Sequence, residues 1–274
     1  MRLGIAPSRS FPGTWEDILN FALQEGFSGV EFKYELPFIL PERFPQGMLN
    51  RLAGARVEHG LVYGIHGPYV NIGSPLPYRW RAAVDEHLRA LEVAQRIGAG
   101  TYTIHPGFVE SKYATGELLA RGRELTARAL RELTKCSEGV TLCLENQNPR
   151  EGGKAKCAAR PNELLEVLAA AGGGIKVTWD VGHANLLPGG VLGFAREVGL
   201  DKVAVMHLHD NRGDEDSHDT PGNGTVPWKE LLSLFVNTDR SPMLYLELRA
   251  EEDLSRGRDF LERLARKVQA NLIR

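Results

Sequence analysis

Residues 203–224, VAVMHLHDNRGDEDSHDTPGNG, gather His207, His209, Asp210, Asp216 and His218 into one short stretch. Imidazole nitrogens and carboxylate oxygens at this density are a donor set for a divalent cation. The stretch opens as an apolar, β-branched run and turns polar and glycine-rich, the pattern of a buried strand that delivers a functional loop. Residues of the same types recur at the ends of other apolar runs: His66, His105, Glu145, Asp180 with His183, and Glu247. Without a thiolate among them, the set suits Zn²⁺ or Mn²⁺, with Fe²⁺ and Co²⁺ compatible, and not a cysteine-rich structural zinc. A carboxylate such as Glu145 can bridge two ions. The candidates exceed what one ion with an open position requires, so more than one ion is expected to fit.

Something must bring these scattered residues together, and the rest of the chain says what. Apolar runs at Arg2–Ala6, Gly29–Tyr34, Val62–Ile65, Thr101–Ile104, Val140–Leu144, Ile175–Trp179, Lys202–Met206 and Met243–Leu246 read as strands. Stretches with helical spacing follow them: one capped by Thr14 and closed by Gly26, one over about 46–58, then Pro77–Gly98, Gly116–Leu133, Pro161–Ala170, Val191–Val198, Pro227–Phe235 and Leu254–Leu272. The polar stretch 146–160 reads as a long loop over a site. Eight strand–helix units without a composition break predict parallel strands joined by right-handed crossovers, a single closed (β/α)₈ TIM barrel spanning residues 1–274. In such a barrel the chemistry lies on the loops at the carboxyl ends of the strands, where the candidate ligands fall.

Composition narrows the function classes. Among 274 residues, 33 Lys and Arg against 35 Asp and Glu leave a net charge of −2, so no global basic field draws the chain to nucleic acid or an anionic membrane. Three cysteines, Cys136, Cys143 and Cys157, form no C-x-x-C pair and read as reduced thiols in a cytoplasmic protein. The start MRLGIAP lacks a signal-peptide core, and no apolar run approaches the ~20 residues of a membrane span. Nothing in the chain selects an oligomeric state.

The segments IHGPYVNIGSP (65–75), TIHPG (103–107), LEN (144–146), WDVGHAN (179–185), HLHDN with DSHDTPGNGTVPW (207–228), and LEL (246–248) resemble the xylose isomerase-like barrel superfamily over nearly the whole chain. That group includes sugar isomerases and epimerases and also endonuclease IV. Resemblance to the epimerase branch implies one ion held by Glu145, Asp180, His207 and Glu247. The metal would polarise a carbonyl and its neighbouring hydroxyl, Glu145 and Glu247 would exchange an α-proton through an enediolate, and His183 would bind substrate hydroxyls. Resemblance to the endonuclease IV branch implies three zinc ions held by nine residues: His66, His105, Glu145, Asp180, His183, His207, Asp216, His218 and Glu247. Tyr69 would then lie near a flipped-out abasic site. Against the nuclease stand the acidic balance, the apolar, proline-rich segment KYELPFILPERFP (33–45), and His209 where that enzyme has asparagine. The resemblance therefore favours a small carbohydrate-like substrate, with nucleic acid a partner only under the alternative. A non-catalytic sensor with a structural metal would have no need of glutamates on both sides of an open position.

Further residues have lesser expected roles. His209 shares strand parity with His207 and is expected at the mouth, touching substrate or supporting a ligand. Asp210 is expected to orient a ligating histidine. Trp80, within PYRWR (77–81), is expected to act as a substrate platform, and Arg79 and Arg81 beside it to hold a phosphate. Arg150, Lys154, Lys156 and Arg160 in the 146–160 loop are expected either to do the same or to be solvated. His59 and His87 are expected on the surface, and Trp15, Trp179 and Trp228 in the packing.

Overall fold

Apolar runs of only three to six residues form the strands, because in this architecture every strand is covered on both faces and needs no polar side. The computed structural model describes residues 2–8, 10–45, 47–149, 151–235 and 242–272. Its barrel strands are β1 (Leu3–Ile5), β2 (Gly29–Lys33), β3 (Val62–His66), β4 (Thr101–Ile104), β6 (Thr141–Glu145), β8 (Lys176–Asp180), β9 (Val203–Leu208) and β10 (Met243–Leu246). They are hydrogen-bonded in the closed order β1-β10-β9-β8-β6-β4-β3-β2, and every pairing is parallel. The predicted (β/α)₈ barrel is therefore the fold.

Parallel neighbours require crossovers, and the helices supply them. These are α1 (Trp15–Gln24), α2 (Met48–His59), α3 (Pro77–Ile97), α4 (Gly116–Thr134), α5 (Pro161–Ala171), α7 (Gly190–Val198), α8 (Trp228–Ser233) and α9 (Glu251–Leu272). Thr14 caps α1 in a reciprocal box with Asp17: the Asp17 carboxylate accepts from the Thr14 N–H at 2.6 Å and the Thr14 hydroxyl from the Asp17 N–H at 3.4 Å. Gly60 and Gly98 end α2 and α3 at φ 64° and 70°, in the left-handed region that favours glycine. Gln46, where the second helix was expected to begin, lies outside the described residues. No helix among the described residues is long and apolar enough to cross a membrane.

Two features escaped the periodicity. The 146–160 stretch is not only loop: β7 (Lys154–Lys156) pairs antiparallel with β5 (Phe108–Glu110) to form a small sheet outside the barrel. A short helix, α6 (Val181–Asn185), follows β8, capped by Asp180 through the His183 N–H at 2.6 Å.

His87 is not on the surface. It is fully buried on α3, with Nδ1 2.9 Å from the Tyr102 hydroxyl of β4 and Nε2 without a partner. Burial, with smaller contributions from His105 and His66, depresses its pKa from 6.5 to about 3. As pH falls below 6.5 the unfolded chain takes up a proton that the folded chain refuses, so stability is lost toward acid. His87→Gln should remove this loss. Between pH 6 and 4, denaturant melts should show the unsubstituted chain losing up to about 1.4 kcal/mol more per pH unit than the variant; parallel curves would contradict the assignment.

Candidate metal centre

The carboxyl ends of the barrel strands place the candidate ligands around one mouth. Glu145, last residue of β6 and 1% exposed, is the hub. Its Oε2 lies 2.8 Å from His105 Nε2 and 3.5 Å from His66 Nε2, and its Oε1 lies 3.5 Å from His207 Nδ1 and 3.7 Å from His183 Nδ1. Glu247 Oε2 approaches His207 Nδ1 to 3.1 Å from the other side. Donor atoms within 4.8 Å of one another form four overlapping groups: His66, His105 and Glu145; Glu145, Asp180 and His207; Asp180, His183 and His209; and His209, Asp216 and His218.

Most of these rings are oriented by what lies behind them. His66, His183 and His218 donate from Nδ1 to the carbonyls of Gly67, Asn146 and Glu247, at 3.0, 2.9 and 2.9 Å, which points Nε2 at the acids, Glu145 for His66 and Asp216 for His183 and His218. His207 is held in reverse, with Nε2 2.7 Å from Glu31 Oε2 and Nδ1 toward the acids. Buried atoms without hydrogen-bond partners among the described residues include His207 Nδ1, His209 Nδ1 and Asp216 Oδ1. Buried polar atoms are normally satisfied, so orphans converging in one place fit a cation.

The electrostatics agree with that fit. Burial alone would raise the Glu145 and Glu247 carboxyls, but His105, His207 and His66 around the first, and Lys33 and His207 beside the second, hold both well below the ordinary range. Burial opposes charge on His183 too, yet Asp180 and Asp216 raise it to about 10. The acids are ionised and draw positive charge inward: protons here, or divalent ions from the same N and O donors.

Asp216 and His218 reach the mouth because their loop is tied down. The Asp210 carboxylate accepts four donors: the N–H groups of Asn211 and Val226 at 3.0 and 3.1 Å on Oδ1, and Gly222 N–H and Trp228 Nε1 at 2.9 and 2.7 Å on Oδ2. Asp210 and Asp219 also exchange backbone hydrogen bonds at 2.7 and 2.9 Å. Asp210 thus anchors the loop, and among the described residues no histidine is hydrogen-bonded to its carboxylate, which corrects the sequence expectation. Within the loop His218 takes φ 53°, and its ring stacks on His209 at 4.0 Å. His209 is fully buried, with Nε2 3.0 Å from Asp180 Oδ1.

Tyr69 comes to the rim, its ring edge-on to His105 at 4.9 Å. It donates to Glu151 at 2.6 Å and accepts from Lys156 at 2.5 Å, while Lys156 also pairs with Glu151 and Lys154 contacts Glu151 at 2.7 Å. Trp80 is not a platform: it is 5% exposed between α3 and α4, and its indole N–H donates to Leu125 O at 3.1 Å. Its helical spacing with Val84, His87 and Leu91 already put it on the inner face. Arg81 is committed to Asp85 and Glu132 on the helix layer, and Arg79 lines a neighbouring groove with Ser74, Glu86, Phe108 and Tyr113. Arg160 is exposed before α5, and Arg150 lies outside the described residues. His59 is exposed, while Trp15, Trp179 and Trp228 are core.

Three residues of the site were missed. Glu31 and Lys33 project from β2, fully buried and 8% exposed, to His207 and to Glu247 Oε1 at 2.5 Å. Asn146 locks β6 to β8, donating to Asp180 O at 2.9 Å and accepting from Asp180 N at 2.8 Å. The signal for the first two was present: charges at i and i+2 of a strand covered on both faces must be paired inside.

A family model described as xylose isomerase-like TIM barrel matches residues 19–264. A probable endonuclease 4 of Thermotoga sp. strain RQ2 is 26% identical over 174 residues, 58% of this chain and 58% of that protein; the match thus spans less than two thirds of that relative's length. Among solved structures, a D-tagatose 3-epimerase-like protein superposes with a TM-score of 0.85 at 18% identity, over 99% of this chain and 100% of its own. Endonuclease IV from Thermus thermophilus superposes at 0.74 and 23% identity, over 97% and 100%. At these identities the structural likenesses establish the fold, and the reaction has to be argued from residues.

Room for His209 comes from Gly182, where a Cβ would lie 1.9 Å from the His209 Cε1. Gly182→Ala should destabilise the metal-free chain by about 1–3 kcal/mol, the usual effect of overpacking. The same change in a His209→Ala background should be nearly neutral, and additive penalties in denaturant melts would refute the coupling.

Proposed function

This chain belongs to the xylose isomerase-like TIM barrel family, and on that premise we propose that its single barrel domain is a divalent-metal-dependent isomerase or epimerase of a small sugar or polyol. One observation carries the choice of substrate. The lysines described at the mouth are already committed, Lys33 to Glu247 at 2.5 Å and both Lys154 and Lys156 to Glu151. A phosphodiester or phosphorylated substrate calls for uncommitted cations, whereas a neutral polyhydroxyl compound is recognised by hydrogen bonds that such paired groups still offer.

A divalent ion held by Glu145, Asp180, His207 and Glu247, with Zn²⁺ or Mn²⁺ suited to the donors, would polarise a carbonyl and its neighbouring hydroxyl and so acidify the carbon between them. The protein supplies the rest. Glu145 and Glu247 approach His207 Nδ1 at 3.5 and 3.1 Å, and both are ionised at neutral pH, ready to accept a proton. In an isomerisation the carboxylate that took the proton from carbon would return it to the neighbouring carbon; in an epimerisation the other glutamate, first protonated from solvent, would give its proton to the opposite face while the first keeps the one it took, so that the two exchange roles. Tyr69, Glu151 and Lys156 on the rim would hold hydroxyls, and buried His209 would act by holding Asp180. His183, tied to Asp216 at 3.2 Å, would release that partner to a substrate hydroxyl.

One observation favours a second reading. Eight of the nine residues that endonuclease IV resemblance implies as zinc ligands fall in overlapping donor groups at this mouth, and the ninth, Glu247, comes within 3.1 Å of His207 Nδ1, so a trinuclear phosphodiesterase acting on abasic DNA is the alternative.

The two readings part on product and on isotope. With ketoses in deuterated water, the metal-loaded chain should place deuterium on the carbon next to the carbonyl, and Glu145→Gln and Glu247→Gln should each lower the rate at least about 100-fold. Cleavage of an abasic-site duplex, with no exchange on any sugar, would establish the nuclease instead.

A further inference from the structure

Glu31 has no role in either reading, yet its placement is costly. A carboxylate with no solvent exposure is tolerated only when both oxygens are satisfied. Here Oε1 accepts from the Thr103 hydroxyl at 2.7 Å, and Thr103 in turn lies 2.9 Å from the Thr178 hydroxyl. Oε2 accepts from His207 Nε2 at 2.7 Å. The backbone makes space for this arrangement. Glu31 is in register with Gly64, and a Cβ there would come within 3.3 Å of Glu31 Cγ and 3.1 Å of the Tyr245 hydroxyl.

The consequence falls on one ring. His66, His183 and His218 present Nε2 because a backbone carbonyl holds Nδ1; His207 presents Nδ1, and a side-chain carboxylate holds its other nitrogen. That Nδ1 lies 3.5, 3.9 and 3.1 Å from Glu145, Asp180 and Glu247 and has no hydrogen-bond partner among the described residues. A neutral imidazole can ligate through Nδ1 only if its proton sits on Nε2, and an anionic acceptor at Nε2 both enforces that tautomer and makes the ring a better donor.

We propose that Glu31 is the positioning residue of the metal centre, acting through His207: it fixes the ring so that Nδ1 alone faces Glu145, Asp180 and Glu247. This rests on the metal-dependent reading above and adds a residue from β2, a strand that neither set of expected ligands uses. A carboxylate present only to support the barrel would affect stability and leave the affinity of the folded protein for metal unchanged.

The test is zinc titration of the full chain against a chromophoric chelator, with the melting temperature of each metal-free protein measured alongside. Glu31→Gln preserves shape and removes the charge, and it should weaken at least one zinc-binding step by about ten- to a hundred-fold. Equal affinities in the two proteins would overturn the inference alone. No zinc binding by the unsubstituted chain would overturn the metal-dependent reading and this inference with it. Should Glu31→Gln fail to fold, nitrogen NMR of the zinc-loaded unsubstituted chain decides: a His207 ring protonated on Nε2 and ligated through Nδ1 supports the proposal, and the reverse arrangement refutes it.

Discussion

Buried negative charge governs this molecule. Glu31, Glu145, Asp180 and Glu247 are all at most 7% exposed and converge on one end of one barrel. Carboxylates so placed repel one another and have lost most of their hydration, so the surroundings must supply positive charge or the fold would fail. Lys33, the imidazoles of His66, His183 and His207, and the proposed ions are the available sources. The N and O donors, the orphaned atoms and the shifted carboxyls are therefore one fact seen from several sides.

That demand explains which parts of the barrel are rigid. Asn146 joins β6 to β8 through both ends of its side-chain amide, and Asp180 caps α6 while it holds His209. Gly64 and Gly182 are small where Glu31 and His209 must pass. Groups that need each other's charge are kept within reach by backbone and by absent side chains, so little reorganisation is left for the moment of reaction.

The fold was legible because strand–helix alternation is a local pattern repeated eight times, and the convergence of the candidate ligands on one mouth was legible because they end apolar runs. What was hidden depended on side-chain direction or on pairing between distant segments. Glu31 and Lys33 looked like ordinary strand residues in GVEFK, although a strand with no solvent face leaves a charge nowhere to go but into a pair. Trp80 and His87 were misjudged from their polar neighbours, while their spacing on α3 pointed inward. β5 and β7 are three residues each, and a polar run such as KAK becomes a strand only through its partner. Asp210 was read by its nearness to His209, but its carboxylate points along the chain to Gly222, Val226 and Trp228.

The bonds between Asp210 and Asp219 have one more implication. They close residues 211–218 into a loop whose two ends meet, so its length and composition are decoupled from the register of the barrel. Asp216 and His218 belong to that enclosed segment, whereas Glu145, Asp180, His207 and Glu247 sit on or immediately after the strands. Descendants of this scaffold could therefore gain or shed the loop's donors by insertion and deletion alone, altering the number of ions held while the strand-borne set stayed in place. The barrel divides its own heritage into a part that is fixed by folding and a part that is free to be rewritten.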